Sequence, residues 1–128
     1  MAEQNMQVVR KIYAALESGN SFAMLGLLSP SIKVWQAEEL PWGGTHEGLL
    51  QVNSFFSKIK SYVDAKVTVE RIVDSGEFVV VMATARGTVK ATGKPFEGPL
   101  VHVWEMRDGK AAGLRVFQEN DAILAALA

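Results

Sequence analysis

The stretch QAEELPWGGTHEG, residues 36–48, gathers several side chains able to do chemistry. Two adjacent carboxylates, Glu38 and Glu39, precede Leu40-Pro41-Trp42, and Gly43, Gly44, Thr45, His46 and Glu47 follow. A carboxylate enclosed among apolar groups resists ionisation. Its pKa then rises toward neutrality, where it can take or give a proton. Pro41 and the two glycines force a compact turn. That turn either aims Trp42 at a pocket mouth and His46 at a ligand, or lets the large amphipathic indole plug the end of a core. Loops held over a rigid scaffold often carry sites, so the stretch reads as a pocket rim as well as a turn.

Other chemistries find little support. The chain has no cysteine, hence no disulfide, thiolate nucleophile or thiolate metal site. No G-x-S-x-G presents a serine nucleophile. His46 and His102 have no zinc-type spacing, and no glycine-rich phosphate loop follows a strand. The expectation is a protein that needs no metal or other cofactor. Basic residues are scattered and the net charge is −1, which argues against nucleic acid as a partner. MAEQNMQVVRK lacks the basic and apolar regions of a secretion signal, and no apolar run approaches a membrane span. A soluble, cytoplasmic protein is expected.

The elements that must hold these residues follow from periodicity. The 128 residues, 48% hydrophobic, are enough for one domain, 1–128, with one sizeable core. Met6, Val9, Ile12, Tyr13 and Leu16 mark one face of a helix over 3–18, which Gly19 ends. A short helix is expected at about Phe22–Leu28, then a strand over Ile32–Gln36. Leu49, Val52, Phe55, Phe56 and Ile59 return to helical spacing over 48–60. Strands are expected at Val63–Val73, Phe78–Val89, Phe96–Met106 and Ala111–Gln118, with Asp108-Gly109 as the strongest hairpin signal. Asn120 can cap a last helix ending near Leu127. Helices first and an antiparallel meander afterwards imply an α+β fold with helices on one face of the sheet.

This order resembles the NTF2-like superfamily, within it the SnoaL-like and ketosteroid-isomerase-like proteins. The carriers are LPWGGTHEG before the third helix, FEGPLVHVWEMRDGK in the third long strand and its turn, and LRVFQEND before the last helix. The resemblance implies a strongly curved antiparallel sheet wrapped around the N-terminal helices as a cone. It also implies a mostly apolar pocket at the cone's open end and a dimer through the convex sheet face. The isomerases in this group use a carboxylate base with a tyrosine and a neutral aspartic acid as donors to the developing enolate. Matched at Gly19, the tyrosine falls on Ile12, one residue from Tyr13; matched at Pro99, the aspartic acid falls on Val101. Both donors are therefore expected to be missing, which disfavours steroid-type isomerisation. The base falls on Gln36 when matched from Gly19 and on Glu39 when matched from Gly48; strand parity with Ile32, Val34 and Gln36 favours Glu38. Glu119 is the nearest match to the general acid/base of SnoaL-like cyclases.

A plain two-residue turn at Asp108-Gly109 would pair Trp104 with Gly113 and His102 with Arg115. Val101, Val103, Val116 and Gln118 would then share the pocket face, while His102, Trp104, Arg115 and Phe117 form an aromatic and arginine-bearing dimer face. A one-residue slip would reverse this. The expected function is binding of a small, mostly apolar organic ligand. Glu38 or Glu39, with Glu119, would serve as general acid/base in a cofactor-independent isomerase, cyclase or hydrolase. Gln36, Trp42 and His46 would shape the mouth. The alternative is a non-catalytic ligand-binding or protein-interaction module on the same fold.

Overall fold

The computed structural model describes residues 2–128. Helix α1 spans Ala2–Ser18 and buries Val9, Ile12 and Ala15, three residues apart on one face. Gly19 (φ +74°) lets the chain leave the helix. Asn20 then caps α2 (Ser21–Leu25) through its side-chain oxygen, which accepts from the Ala23 N–H. The helix is shorter than expected because Leu28 already belongs to the first strand.

Strand β1 runs Leu28–Gln36 and is followed by a short β2, Gly44–Glu47, inside the stretch expected to be only a loop. Pro30 is tolerated in β1 because the ladder to the neighbouring strand is interrupted between Leu28 and Lys33. Helix α3 spans Gly48–Tyr62, and β3 (Val63–Ser75), β4 (Phe78–Val89), β5 (Pro95–Arg107) and β6 (Lys110–Gln118) form the expected meander before α4, Asp121–Leu127. The sheet order is β2-β1-β6-β5-β4-β3, with β1 and β6 parallel and the other neighbours antiparallel. Among the described residues no helix is long and apolar enough to cross a membrane.

Asp108 (φ 52°) and Gly109 (φ 76°) make the two-residue turn, with both central residues at positive φ. Arg107 faces Lys110 and Met106 faces Ala111, as the plain hairpin requires. The ladder then skips Ala112, so that Glu105 pairs with Gly113, Trp104 with Leu114 and His102 with Val116. This β-bulge slips the register by one residue and reverses the relation between β5 and β6. Leu100, His102, Trp104 and Met106 point to the helices with Leu114, Val116 and Gln118. Val101, Val103 and Glu105 point away from them with Arg115 and Phe117.

The core lies between the helices and this concave face. Ile32, Val34, Val79, Val81, Trp104, Leu114 and Phe55 are each 2% exposed or less, so the apolar wall is continuous across β1, β6, β5 and β4.

Candidate functional site

Helix α1 and strand β5 bring three polar aromatic side chains together inside the concave face. The Tyr13 hydroxyl lies 2.5 Å from His102 Nδ1, and Trp104 Nε1 donates to the Tyr13 oxygen at 3.0 Å. The Tyr13 and His102 rings stack at 5.7 Å and 13°, with Trp104 edge-on to both. An indole N–H can only donate, so it fills a lone pair of the phenol oxygen and leaves the phenol proton for Nδ1. The imidazole proton is thereby assigned to Nε2. Burial pushes the His102 pKa down to about 4, so the ring is neutral at pH 7. Burial also raises the Tyr13 pKa, with the Trp104 hydrogen bond pulling the other way.

Among the described residues His102 Nε2 has no protein partner, yet no buried side-chain nitrogen or oxygen is left unsatisfied. His102 is half-buried, so its Nε2–H is not sealed from solvent at the edge of the apolar wall. A fixed neutral donor in such surroundings can polarise a carbonyl or hold a developing enolate oxygen.

A second polar group sits two strands away. Trp42 Nε1 donates to Gln36 Oε1 at 3.1 Å, and Gln36 Nε2 donates to Gln118 Oε1 at 3.3 Å. Gln36, 3% exposed, is the one buried polar side chain among the described residues. His46 Nε2 donates to the Trp42 carbonyl at 3.1 Å, and its ring packs on Phe55 at 4.8 Å. Continuing the Trp35–Arg115 pairing by one residue puts Gln36 beside Val116, which itself faces His102. Two strand spacings separate His102 from Gln36, about 10 Å.

The acids expected to do the chemistry are elsewhere. Residues 37–43 close on themselves through Leu40 N–H to Ala37 O (3.3 Å) and Gly43 N–H to Leu40 O (2.9 Å). A Cβ on Gly43 would stand 1.9 Å from Ala37 O, so the closure needs glycine. The fold of this loop drives Leu40 and Trp42 inward, each 2% exposed, and turns Glu38 and Glu39 out to solvent. Glu39 accepts from Asn120 Nδ2 on the outer surface, and Glu119 is also exposed.

Val101 and Val103 are corrected to the convex face, and His102 and Trp104 to the concave one, both by the bulge at Ala112. Val116 and Gln118 lie on the concave side with Gln36 and Trp42. Motif matching passes over Tyr13 because only Ile12 falls on the family tyrosine. The two positions are about 100° apart on the helix, yet the buried sector is wide enough to hold both. The signal is present in the apolar spacing, where Tyr13 sits among Val9, Ile12 and Leu16. Trp42 is buried against Gln36 and Tyr62, and two small cavities, one among α1, α2 and α3 and one lined by Gln118, Glu119 and Ile123, measure about 20 and 10 Å3, room for about one water molecule. Among the described residues no three His, Asp or Glu side chains are placed to hold a metal ion.

Helices packed into a curved six-stranded sheet, with polar aromatics on the concave wall, define an NTF2-like fold. Residues 9–114 match the SnoaL-like domain family, and the chain belongs to it. A solved NTF2-like protein from Burkholderia xenovorans is similar over 100% of this chain and 98% of its own, at 27% identity and a TM-score of 0.91. TerC, co-crystallised with polyporic acid, is similar over 97% and 98% at 21% identity and TM-score 0.89. A protein of ketosteroid-isomerase-like fold from Catenulispora acidiphila, in complex with trimethylamine, is similar over 93% and 90% at 19% identity and TM-score 0.81. A search of the curated proteins finds no match.

Proposed function

We propose that the concave face binds a small, mainly apolar organic molecule and that His102 Nε2–H is the group that holds its oxygen. The open N–H of a neutral, tyrosine-backed imidazole in an apolar wall carries this reading. Tyr13 fixes the tautomer and Trp104 fixes Tyr13, so the donor is preorganised. Such a donor suits a ligand carbonyl or enolate. No glutamate of the 37–43 loop faces it, and the carboxylate acid/base role expected for Glu38, Glu39 and Glu119 is not part of the proposal. The exposure of those acids favours, as a second reading, a domain that binds its ligand without turning it over.

The same proposal includes self-association through the convex face. Trp35, Met82 and Phe117 are 37–45% exposed there, beside Val80, Val101 and Val103. Trp35 and Phe117 pack at 5.5 Å, giving a large aromatic pair of the kind enriched in interfaces.

Titration with 2-naphthol, an apolar double ring with one oxygen, tests the site. His102→Phe should weaken binding about tenfold, the cost of a lost hydrogen bond of about 1.4 kcal/mol. Tyr13→Phe, which releases the tautomer, should weaken it less, and Glu38→Gln should not change it. Equal affinities for wild type and His102→Phe would remove the reading. Phe117→Glu should lower the apparent mass in sedimentation if the convex face joins two copies; an unchanged dimer would place the interface elsewhere.

A further inference from the structure

Trp42 occupies an unusual place for a loop residue. It belongs to no helix or strand, yet it is 2% exposed. Its indole N–H supplies the donor required by Gln36 Oε1, the acceptor on the one buried polar side chain among the described residues. A core built only for stability has little use for an amide at position 36, since an aliphatic side chain there would need no partner. The amide does have a use if something other than Trp42 is sometimes bound to it.

We infer that Trp42 is an internal stand-in for the ligand. The Gln36 end of the concave face takes a flat aromatic molecule of about two fused rings carrying an N–H or O–H donor, and that molecule enters by displacing the indole. This rests on the ligand-binding reading above and specifies the site's second polar contact.

The outer fastening of the loop is weak, although His46 Nε2 holds the Trp42 carbonyl and Leu40 is buried. On its outer side it is held to Asn120, the residue before α4, by the hydrogen bond from Asn120 to Glu39, which lies in solvent. Exposed contacts of this kind contribute little. Gly44, at φ +100°, follows the loop and begins β2 opposite Gln36, so any opening is confined to residues 37–43. The indole also borders Tyr62 at 5.8 Å, and Tyr62 is 36% exposed at the end of α3, so the path outward is short. Once vacated, the space offers apolar walls and Gln36 Oε1. An entrant lacking a donor leaves that oxygen buried and unpaired, which selects against it.

Indole and 1-benzofuran, matched in shape but differing in the N–H, are the probes. Both would be titrated into wild type and Asn120→Ala by calorimetry. The Trp42 indole N–H resonance, assigned with Trp42→Phe, would be followed by NMR. Indole should bind wild type, move the Trp42 resonance and speed its exchange with solvent. Benzofuran should bind about tenfold more weakly. Asn120→Ala, an outer-surface change that spares the core, should bind indole about threefold more tightly, because less is lost on opening the loop.

Indole and benzofuran of equal affinity, an unmoved Trp42 resonance in the complex, or no gain in Asn120→Ala would each overturn the inference. If 2-naphthol still binds in a His102-dependent way, those outcomes remove only the displacement of Trp42. If 2-naphthol fails as well, the ligand-binding reading falls with it.

Discussion

Alternate residues of β5 lead different lives. His102 and Trp104 turn to the helices and join Tyr13 in one hydrogen-bonded group, with Trp104 1% exposed. Val101 and Val103, their chain neighbours, turn outward beside Phe117 and Arg115. Trp104 therefore lies within the core with His102 half-buried beside it on the helix side, and the plain aliphatics lie on the other face. A simple hydrophobic-in rule would have chosen the opposite. The inward set is acceptable because its polar atoms satisfy one another and an opening, so burial leaves none unpaired. The outward set remains half-covered apolar surface, the kind that suits a partner.

The largest test of this contrast sets two tryptophans against each other. Trp104→Ala should cost about 3–5 kcal/mol, as a large core truncation that also strips Tyr13 of its donor. Trp35→Ala, on the convex face and stacked only on Phe117, should cost about 1 kcal/mol or less in the monomer, and act mainly on self-association. Chemical denaturation of both variants at low protein concentration measures the difference. Similar losses would mean that the two faces are not distinct environments.

A second test uses acid. Burial pushes the His102 pKa in the folded chain down to about 4, from an ordinary value of 6.5. Between those values the unfolded chain binds a proton that the folded chain does not, so stability falls as pH drops from about 6.5 to about 4 and levels off below. The span corresponds to at most about 3 kcal/mol, less to the extent that the ring edge touches solvent. His102→Phe should remove this slope from a series of urea melts at different pH. The same slope in both proteins would assign it to other groups.

The third test addresses why the faces fall as they do. Periodicity locates the meander, and Asp108-Gly109 identifies its sharpest turn. The extra residue at Ala112 has no comparable signature, because Ala-Ala-Gly fits a plain strand equally well. One bulge is enough to exchange the expected roles of Val101 and His102. Tyr13 is legible as a helix-face residue, but its partnership with His102 depends on contacts across 89 positions of sequence. Gln36 and Trp42 are legible as mouth residues, whereas the inward fold of the loop follows from closures at Ala37, Leu40 and Gly43. Deleting Ala112 should heal the bulge while keeping Glu105 opposite Gly113 and Trp104 opposite Leu114. The fold should survive with a loss of about 1–2 kcal/mol, and Tyr13→Phe should still weaken 2-naphthol binding. Collapse of the deletion variant would show that local bending of the sheet, rather than register alone, holds the site.

The smallest effects are expected at the paired acids of the 37–43 loop. Glu38 and Glu39 lie in solvent on a loop whose apolar residues, Leu40 and Trp42, face the other way. Charge at Glu38 meets water in both folded and unfolded chains, so Glu38→Gln should alter stability by no more than about 0.5 kcal/mol and leave ligand affinity unchanged. Glu39 differs from it by one contact, the hydrogen bond from Asn120. Glu39→Gln keeps an oxygen that can still accept, so it should also be nearly silent, while Glu39→Ala should loosen the loop and move the Trp42 N–H exchange rate in the same direction as Asn120→Ala. A double variant carrying Glu39→Ala and Asn120→Ala should then do no more than either alone, since both remove the same bond. Additive effects would mean that each residue restrains the loop through a different contact. A loss of turnover or binding in Glu38→Gln would instead show that the loop presents this carboxylate inward when a ligand is bound, and would return the acid to the chemistry of the cone.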